Sequence, residues 1–332
     1  MIKDLHVTLS ATVVARPNIA LVKYWGKADR ARNLPMTGSL LVTLDGFTTH
    51  TTVTRCPDLA VDEMSLDGQQ VSSLVLARTM EFVDLVRAGA GIRDRVRIIT
   101  ENNFPTASGL ASSASGFAAL TLALSRVFDL PTDPRIVAAL ARRGSGSAPR
   151  SLLGGVVLYR PDEGDGSEDS LVQLCSADAW DLRMVVAVTS DEAKAVGSSE
   201  GMEHTRTTSP YFSAWVEHNR GLLEEGRRAV DARDLEALGE VAEASCFAMH
   251  ASMLASRPPL LYWNPATVGA ISAVRELRAA GIGAWATIDA GPHVKVLCGG
   301  DDAAAVAARL AEVEGVREVR EERPGAGAEL EG

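Results

Sequence analysis

The sequence is poor in cysteine, and its four thiols stand far apart. Cys56, Cys175, Cys246 and Cys298 form no CxxC pair. That excludes a disulfide framework and a paired-cysteine zinc site, and it points to reduced thiols in a cytoplasmic protein. Runs of basic residues are missing too: no stretch of Lys and Arg is longer than two, and the net charge is −10. Nucleic-acid binding needs a basic face, so it is excluded as the main role. An acidic chain still binds a small anion through a few local cations and backbone N–H groups. No apolar run approaches the roughly 18–20 residues that cross a bilayer, so no membrane partner is expected. Residues 1–18 lack a basic start followed by a continuous apolar core, and no signal peptide is expected. Neither GxxxxGKS nor GxxxxGKT occurs, and no GxGxxG follows a strand and opens a helix, which argues against P-loop and dinucleotide folds. No internal repeat is found.

What is present suits a sizeable core. The chain has 332 residues and is 46% hydrophobic, which fits two domains sharing a cleft. Alternation and β-branched runs predict strands at 5–15, 18–25, 39–44, 48–55, 95–100 and 154–159. Helical spacing predicts helices at 71–88, 117–128 and 133–144, the last with Asp133 as N-cap and Pro134 in its first turn. The polar, acidic stretch 161–170 reads as a solvated loop. Beyond it lie helical patterns at 209–231, 234–255, 266–280 and 302–314, two strands within AWATIDAGPHVKVLC, and a short strand near VREVR. Strands and helices mix without regular βαβ alternation, so the fold class is α+β. The tail, 323–332, reads as disordered.

PTASGLASSASG, residues 105–116, is the most unusual stretch. It has one large side chain, Leu110, and four serines, and it opens a helix. Helix N-termini carry unpaired N–H groups and partial positive charge. Gly109 and Gly116 allow close approach, and Ser108, Ser112, Ser113 and Ser115 offer hydroxyls, a combination that suits a polyphosphate. The plain alternative is an ordinary capped helix behind a flexible loop. RPNIALVKYWGK places Lys23 and Lys27 beside Tyr24 and Trp25; taken alone, the stretch reads first as a strand with snorkelling lysines. RRGSGSAPRSLLGG sets Arg142, Arg143 and Arg150 among glycines and serines, as bidentate recognition of an anion requires, or as dipole-compensating arginines at a helix end. GSSEGM is a further small hydroxyl-bearing loop. TIDAGPH puts Asp289 at a strand end, either as a turn aspartate or as a carboxylate beside a phosphoryl-transfer centre.

Seven stretches in this order resemble the mevalonate diphosphate decarboxylase family of the GHMP kinase superfamily. They are PNIALVKYWGK, NLPMTGSLLVTL, NNFPTASGLASSASGFAAL, RRGSGSAPRSLLGG, SSEGM, FAMHASM and IDAGPHVKV. The resemblance implies a two-domain GHMP kinase-like fold: a ribosomal protein S5 domain 2-like N-terminal domain, taken as 1–180, and a ferredoxin-like C-terminal domain, taken as 181–322. It implies conversion of mevalonate 5-diphosphate and ATP, with Mg²⁺, to isopentenyl diphosphate, ADP, phosphate and CO₂, in a homodimer. By the same resemblance Asp289, Arg150 and Lys23 are catalytic. Asn18, Tyr24, Ser145, Ser147 and Ser198 bind substrate, and Ser108, Gly109, Ser112 and Ser113 hold the ATP phosphates. No metal ligand is assigned, and His250 and His293 are read as structural.

Four departures from the family pattern stand out: Thr37–Leu41 in place of a polar stretch, Pro149 before the arginine, His293 after the Gly-Pro turn, and Ser199 where some bacterial members carry arginine. They motivate a second reading, a related kinase or decarboxylase of mevalonate, its monophosphate or another 3-hydroxy acid. A third is a non-catalytic ligand-binding relative, which the intact Lys23, Arg150 and Asp289 argue against.

Overall fold

The computed structural model describes residues 10–104, 112–131, 133–161, 169–192 and 194–331. Residues 5–9 of the first expected strand, and Ser108 and Gly109, lie outside the described residues. Helices are numbered in chain order: α1 Ser73–Ala90, α2 Ser112–Val127, α3 Pro134–Gly144, α4 Ser198–Thr208, α5 Phe212–Ala232, α6 Leu235–Leu254, α7 Pro265–Ala279 and α8 Gly300–Ala311.

A six-stranded sheet has Ser10–Ala15, Thr49–Cys56 and Arg95–Asn102 as consecutive antiparallel neighbours. Ala11, Val13, Ala15, Val53, Val96 and Ile98 point to one face, where α1 and α2 cover them. The helix α2 presents Ala118, Ala119 and Ala123 to the sheet, so its backbone approaches closely. A second, four-stranded sheet runs Ser170–Cys175, Val156–Arg160, Ser39–Thr43, Asn18–Val22. Every residue of Ser39–Thr43 is buried, because the strand is central in its sheet. A third antiparallel sheet has the order Ala284–Ile288, Val294–Gly299, Leu182–Val188, Glu318–Glu322. Ile19, Leu40 and Leu158 of the second sheet share one core with Leu222 and Val230 of α5, Val241 of α6, and Met184 and Leu297 of the third sheet. Burial of each such side chain is worth about 1.5–3 kcal/mol. The two sheets are thus held by the same apolar contacts, with α5 and α6 between them. The arrangement is α+β, as expected.

Three local expectations need correction. The helix after the small-residue loop begins at Ser112, so Ser115 and Gly116 are helical. Ser115 is fully buried and bonds the Thr49 hydroxyl at 2.7 Å, so its hydroxyl is not offered to a ligand, while Gly116 has open space where a Cβ would stand. GSSEGM is the start of α4, not a loop. The tail is ordered: Glu329–Leu330 pairs with Ser10–Ala15, and Gly325 exchanges backbone bonds with Thr43 and Gly155. Its small residues exist because the chain lies against other backbone. A Cβ at Gly325 would fall 2.7 Å from Asp45 Cα, and one at Gly327 would fall 2.5 Å from the Leu152 carbonyl oxygen.

Candidate active site

Lys23 follows directly on the strand Asn18–Val22, and Asp289 follows directly on Ala284–Ile288. Their side chains meet: Lys23 Nζ donates to Asp289 Oδ1 at 2.6 Å, and Lys295 Nζ lies 3.3 Å from Oδ2. Both lysines are 1% exposed, while the Asp289 carboxyl is 28% exposed. Burial alone would raise the Asp289 pKa; the two ammoniums outweigh it and hold the carboxyl well below the usual carboxylate range. Asp289 is therefore a fixed negative charge facing the cleft.

The backbone around this pair is pinned by α5 and α6. Lys23 N–H donates to Ser245 Oγ at 2.9 Å, Ser245 donates to Asn219 Oδ1 at 2.7 Å, and Asn219 Nδ2 returns to the Lys23 carbonyl at 2.9 Å. Ser245 and Asn219 are fully buried, so this closed ring of bonds competes with no water. The next residue, Cys246, accepts from Ile288 N–H at Sγ, and one turn on His250 Nε2 lies 3.2 Å from the Ile288 carbonyl. Burial pushes His250 down to about 4, which keeps the ring neutral. His293 is likewise structural: its Nδ1 accepts from Thr189 N–H at 3.2 Å.

Arg150 sits in a short 3-10 turn, Ala148–Ser151, after the GSGS segment. Its guanidinium is 4.6 Å from the Tyr24 ring centroid and 4.5 Å from that of Tyr159. Its Nε donates to Ser39 Oγ at 2.6 Å and its Nη1 to the Gly146 carbonyl, but its buried Nη2 has no protein partner. A buried donor without a partner costs free energy unless a ligand satisfies it. The Tyr24 hydroxyl is also buried without a partner, and burial pushes its pKa up to about 12, so it stays protonated. Gly146 is required here: a Cβ would stand 2.4 Å from that hydroxyl. Gly26 is required for a different reason, a φ of 107° that turns the chain after Trp25.

These groups line one cleft of about 580 Å³. Of the residues expected from sequence, Asn18, Lys23, Tyr24, Ser112, Ser113, Ser145, Ser147, Arg150, Ser198 and Asp289 all face it. Asn18 is held by Ser151, and Ser145 and Ser147 bond each other at 3.1 Å. Arg142 does not face it. It is fully buried, with Nε donating to Asp169 Oδ2 at 2.7 Å.

Sequence reasoning missed Lys194, Lys295 and Arg78 and assigned no role to Lys27. Lys194 donates to Ser198 Oγ at 2.7 Å and to the Ala290 carbonyl at 3.1 Å. Lys27 donates to Asn33 and to Ser199 Oγ at 3.0 Å, and burial, with Arg78 and Arg30 nearby, pulls it down to about 8. The signal for Lys295 was available: a lone charge between Val294 and Val296 on a buried strand demands a partner.

The cleft has cations at several points but few acids. Asp289 and Glu200 are the carboxylates that line it, and no cluster of three metal-ligating side chains occurs among the described residues. That set does not form an all-protein cage. It suits magnesium held largely by phosphates and water, which is how this ion usually meets nucleotides.

Comparison with known proteins gives a consistent picture. Residues 15–172 match the diphosphomevalonate decarboxylase-like N-terminal domain, and residues 184–324 match the mevalonate 5-diphosphate decarboxylase C-terminal domain. The chain is 37% identical over 309 residues to the diphosphomevalonate decarboxylase of Aspergillus fumigatus, covering 86% of this chain and 76% of that protein. A structure of mevalonate diphosphate decarboxylase from Staphylococcus aureus superposes with a TM-score of 0.92 at 35% identity, covering 97% of this chain and 98% of the other. MDDEF in complex with MVAPP, AMPPCP and magnesium superposes with a TM-score of 0.91 at 36% identity, covering 97% and 99%.

Proposed function

The chain belongs to the diphosphomevalonate decarboxylase family, and on that premise we propose how its residues divide the work. The reaction is ATP-dependent decarboxylation of mevalonate 5-diphosphate. The observation that carries the assignment is the meeting of an ionised Asp289, an Arg150 with a free buried donor and several cations on one cleft.

The substrate's tertiary hydroxyl is a poor leaving group, so it is phosphorylated first. The γ-phosphoryl moves from ATP to that oxygen, and ADP leaves. Asp289 accepts the hydroxyl's hydrogen bond and aims its lone pair at phosphorus. Its lowered pKa makes it an orienting group more than a strong base, which suits a loose transition state in which the hydroxyl proton passes to Asp289 late, after the P–O bond to ADP has largely broken. Lys23 keeps Asp289 in place and offsets charge on the transferring group. In the second stage the new C–O bond breaks and phosphate departs. The C–C bond to the carboxylate breaks with it; its electron pair forms the C=C bond, and CO₂ is released. Arg150 holds the carboxylate so that the two breaking bonds stay aligned. Ser198, Lys194 and Lys27 surround the diphosphate end, with Tyr24, Asn18, Ser145 and Ser147 along the body of the substrate. Ser112 and Ser113, with Ser108 and Gly109 before them, receive the ATP phosphates at the start of α2. Magnesium, when bound, would be held on the protein side by Asp289 and Glu200, the carboxylates lining this cleft, and would supply neutralisation of phosphate charge.

Two further expectations accompany this reading. Each chain divides into an N-terminal unit, 1–180, and a C-terminal unit, 181–322, and two chains associate as a cytoplasmic homodimer; sedimentation tests the dimer, and fractionation of the source cells tests the compartment. Function itself is tested by product analysis. Purified protein is incubated with ATP, Mg²⁺ and, separately, mevalonate, its 5-phosphate and its 5-diphosphate. Equal ADP and CO₂ with the diphosphate alone is the expected result. ADP without CO₂ identifies a kinase, and neither product identifies a different substrate.

A further inference from the structure

Behind Arg150 lies a second set of buried groups that the reaction does not touch. Tyr159 forms one wall of the Arg150 sandwich, and its hydroxyl donates to Asp169 Oδ2 at 2.8 Å. The same carboxylate oxygen accepts from Arg142 Nε at 2.7 Å, and Arg142 donates onward to the Arg32 carbonyl. Arg142, Asp169 and Tyr159 are all fully buried. The two walls of the sandwich therefore differ. Tyr24 lines the cleft and its buried hydroxyl has no protein partner, whereas the Tyr159 hydroxyl is tied to a sealed ion pair.

Two physical consequences follow for Arg150. A phenol donating to a carboxylate gains electron density in its ring, which strengthens the attraction of that ring face for a guanidinium. A ring fixed at its far end cannot tilt, so the guanidinium plane between the rings is fixed as well. With Nε on Ser39 and Nη1 on Gly146, the remaining freedom is in-plane, and Nη2 is the donor left for a ligand.

We propose that Tyr159 and Asp169 are positioning residues for decarboxylation: Asp169, itself held by Arg142, locks Tyr159, and Tyr159 sets the plane in which Arg150 presents its free donor to the substrate carboxylate. This rests on the assignment of Arg150 to that carboxylate. Its distinctive consequence concerns the second stage of the reaction. Phosphoryl transfer depends on the Asp289 side of the cleft, so loosening the Arg150 plane slows loss of CO₂ while leaving phosphorylation nearly intact.

The test uses the full-length enzyme and Tyr159→Phe, which keeps the ring and leaves the Arg142–Asp169 pair whole. ADP and CO₂ are followed together, along with the ¹³C isotope effect at the carboxyl carbon. The substrates are mevalonate 5-diphosphate and an analogue with methyl in place of the carboxylate. The expected result is an about tenfold slower release of CO₂, a CO₂-to-ADP ratio below one in the first turnover, a larger isotope effect, and unchanged ADP formation from the analogue. Tyr159→Leu, which removes the wall, extends the CO₂ defect to about a hundredfold. A merely structural role would lower ADP formation from both substrates equally; that result, or wild-type kinetics in Tyr159→Phe, overturns the proposal. Arg150→Gln run in parallel separates the two levels. If it alone fails to discriminate substrate from analogue, the Arg150 assignment falls and takes the proposal with it. If it discriminates and Tyr159→Phe does not, only the proposal falls.

Discussion

Asp289 and Asp169 are built from the same parts. Each is a carboxylate set among buried donors, Lys23 and Lys295 for the first, Arg142 and Tyr159 for the second. They differ in what is left over. Asp289 is 28% exposed on the cleft side, with two ammoniums behind it and room in front. Asp169 is fully enclosed. A buried charge cluster open on one side can meet a ligand, whereas a sealed one can only hold structure. The same contrast separates Arg150, with its free Nη2, from Arg142, eight residues upstream in the same motif region.

Removing each carboxylate should break the pair of sites in opposite ways. Asp289→Asn keeps the shape but loses the charge that orients the hydroxyl, so kcat for both ADP and CO₂ should fall by about a thousandfold. Steady-state assays of both products check this; the melt should also fall, because Lys23 and Lys295 lose their shared counter-ion, but by less than in the sealed cluster, since water reaches Asp289 from the cleft. Asp169→Asn removes the enclosed charge that accepts from Arg142 Nε. Breaking a buried pair in this way costs about 3–5 kcal/mol, and urea unfolding should show a midpoint shift of that size. If the stability losses of the two variants came out equal, the distinction between open and sealed clusters would fail.

The pH response sharpens the comparison within the cleft. Asp289 has a lowered pKa. Its ionisation contributes stability that is present above the unfolded-state value and is lost as pH falls below it, so no acid limb from Asp289 should appear in kcat near neutrality. Lys27, pulled down to about 8, behaves in the opposite sense. Its charge is present below that pH and is lost above it, so affinity for an anionic substrate should weaken as pH rises past 8. The expected rise in KM is up to about tenfold per pH unit until the proton held in the complex is also lost. A KM-against-pH profile of wild type and Lys27→Met checks it, with the alkaline rise missing in the variant.

These contrasts explain which parts of the molecule were legible in the sequence. Strand alternation in Ser10–Ala15 and helical spacing in α5 to α7 follow from which face is buried, and both register locally. The partners of a buried charge do not. Asp169 lies in the acidic stretch 161–170, where no sequence signal marks it as a carboxylate that Arg142 draws inside. Asn219 lies among Trp215, Val216, Leu222 and Leu223 on α5, and a polar residue on an apolar helix face signals a buried hydrogen bond without naming Lys23 as its object. The tail was misread for a related reason. Glycine and alanine that pack tightly against backbone have the same composition as glycine and alanine that pack against nothing. Every described residue of the expected site faces the cleft because those motifs combine chemistry with strand ends and turns, which sequence does mark.

The smallest expected effect lies within a single turn and separates two serines that the sequence presents alike. Ser113 is exposed at the start of α2 and lines the cleft, whereas Ser115, two residues on, faces inward to the Thr49 hydroxyl. Ser113→Ala should raise KM for ATP about threefold, the value of one modest hydrogen bond to a phosphate, with the melting temperature unchanged. Ser115→Ala should do the reverse. Thr49 keeps its bond to Asn102 at 2.6 Å, so the loss is limited to about 1 kcal/mol of stability, with KM for ATP unaffected. Nucleotide kinetics and thermal melts on the two variants give a two-by-two outcome. If Ser115→Ala moved KM for ATP as much as Ser113→Ala, the phosphate would have to lie deeper along the helix than its first turn, and the helix N-terminus would lose its place as the anion site.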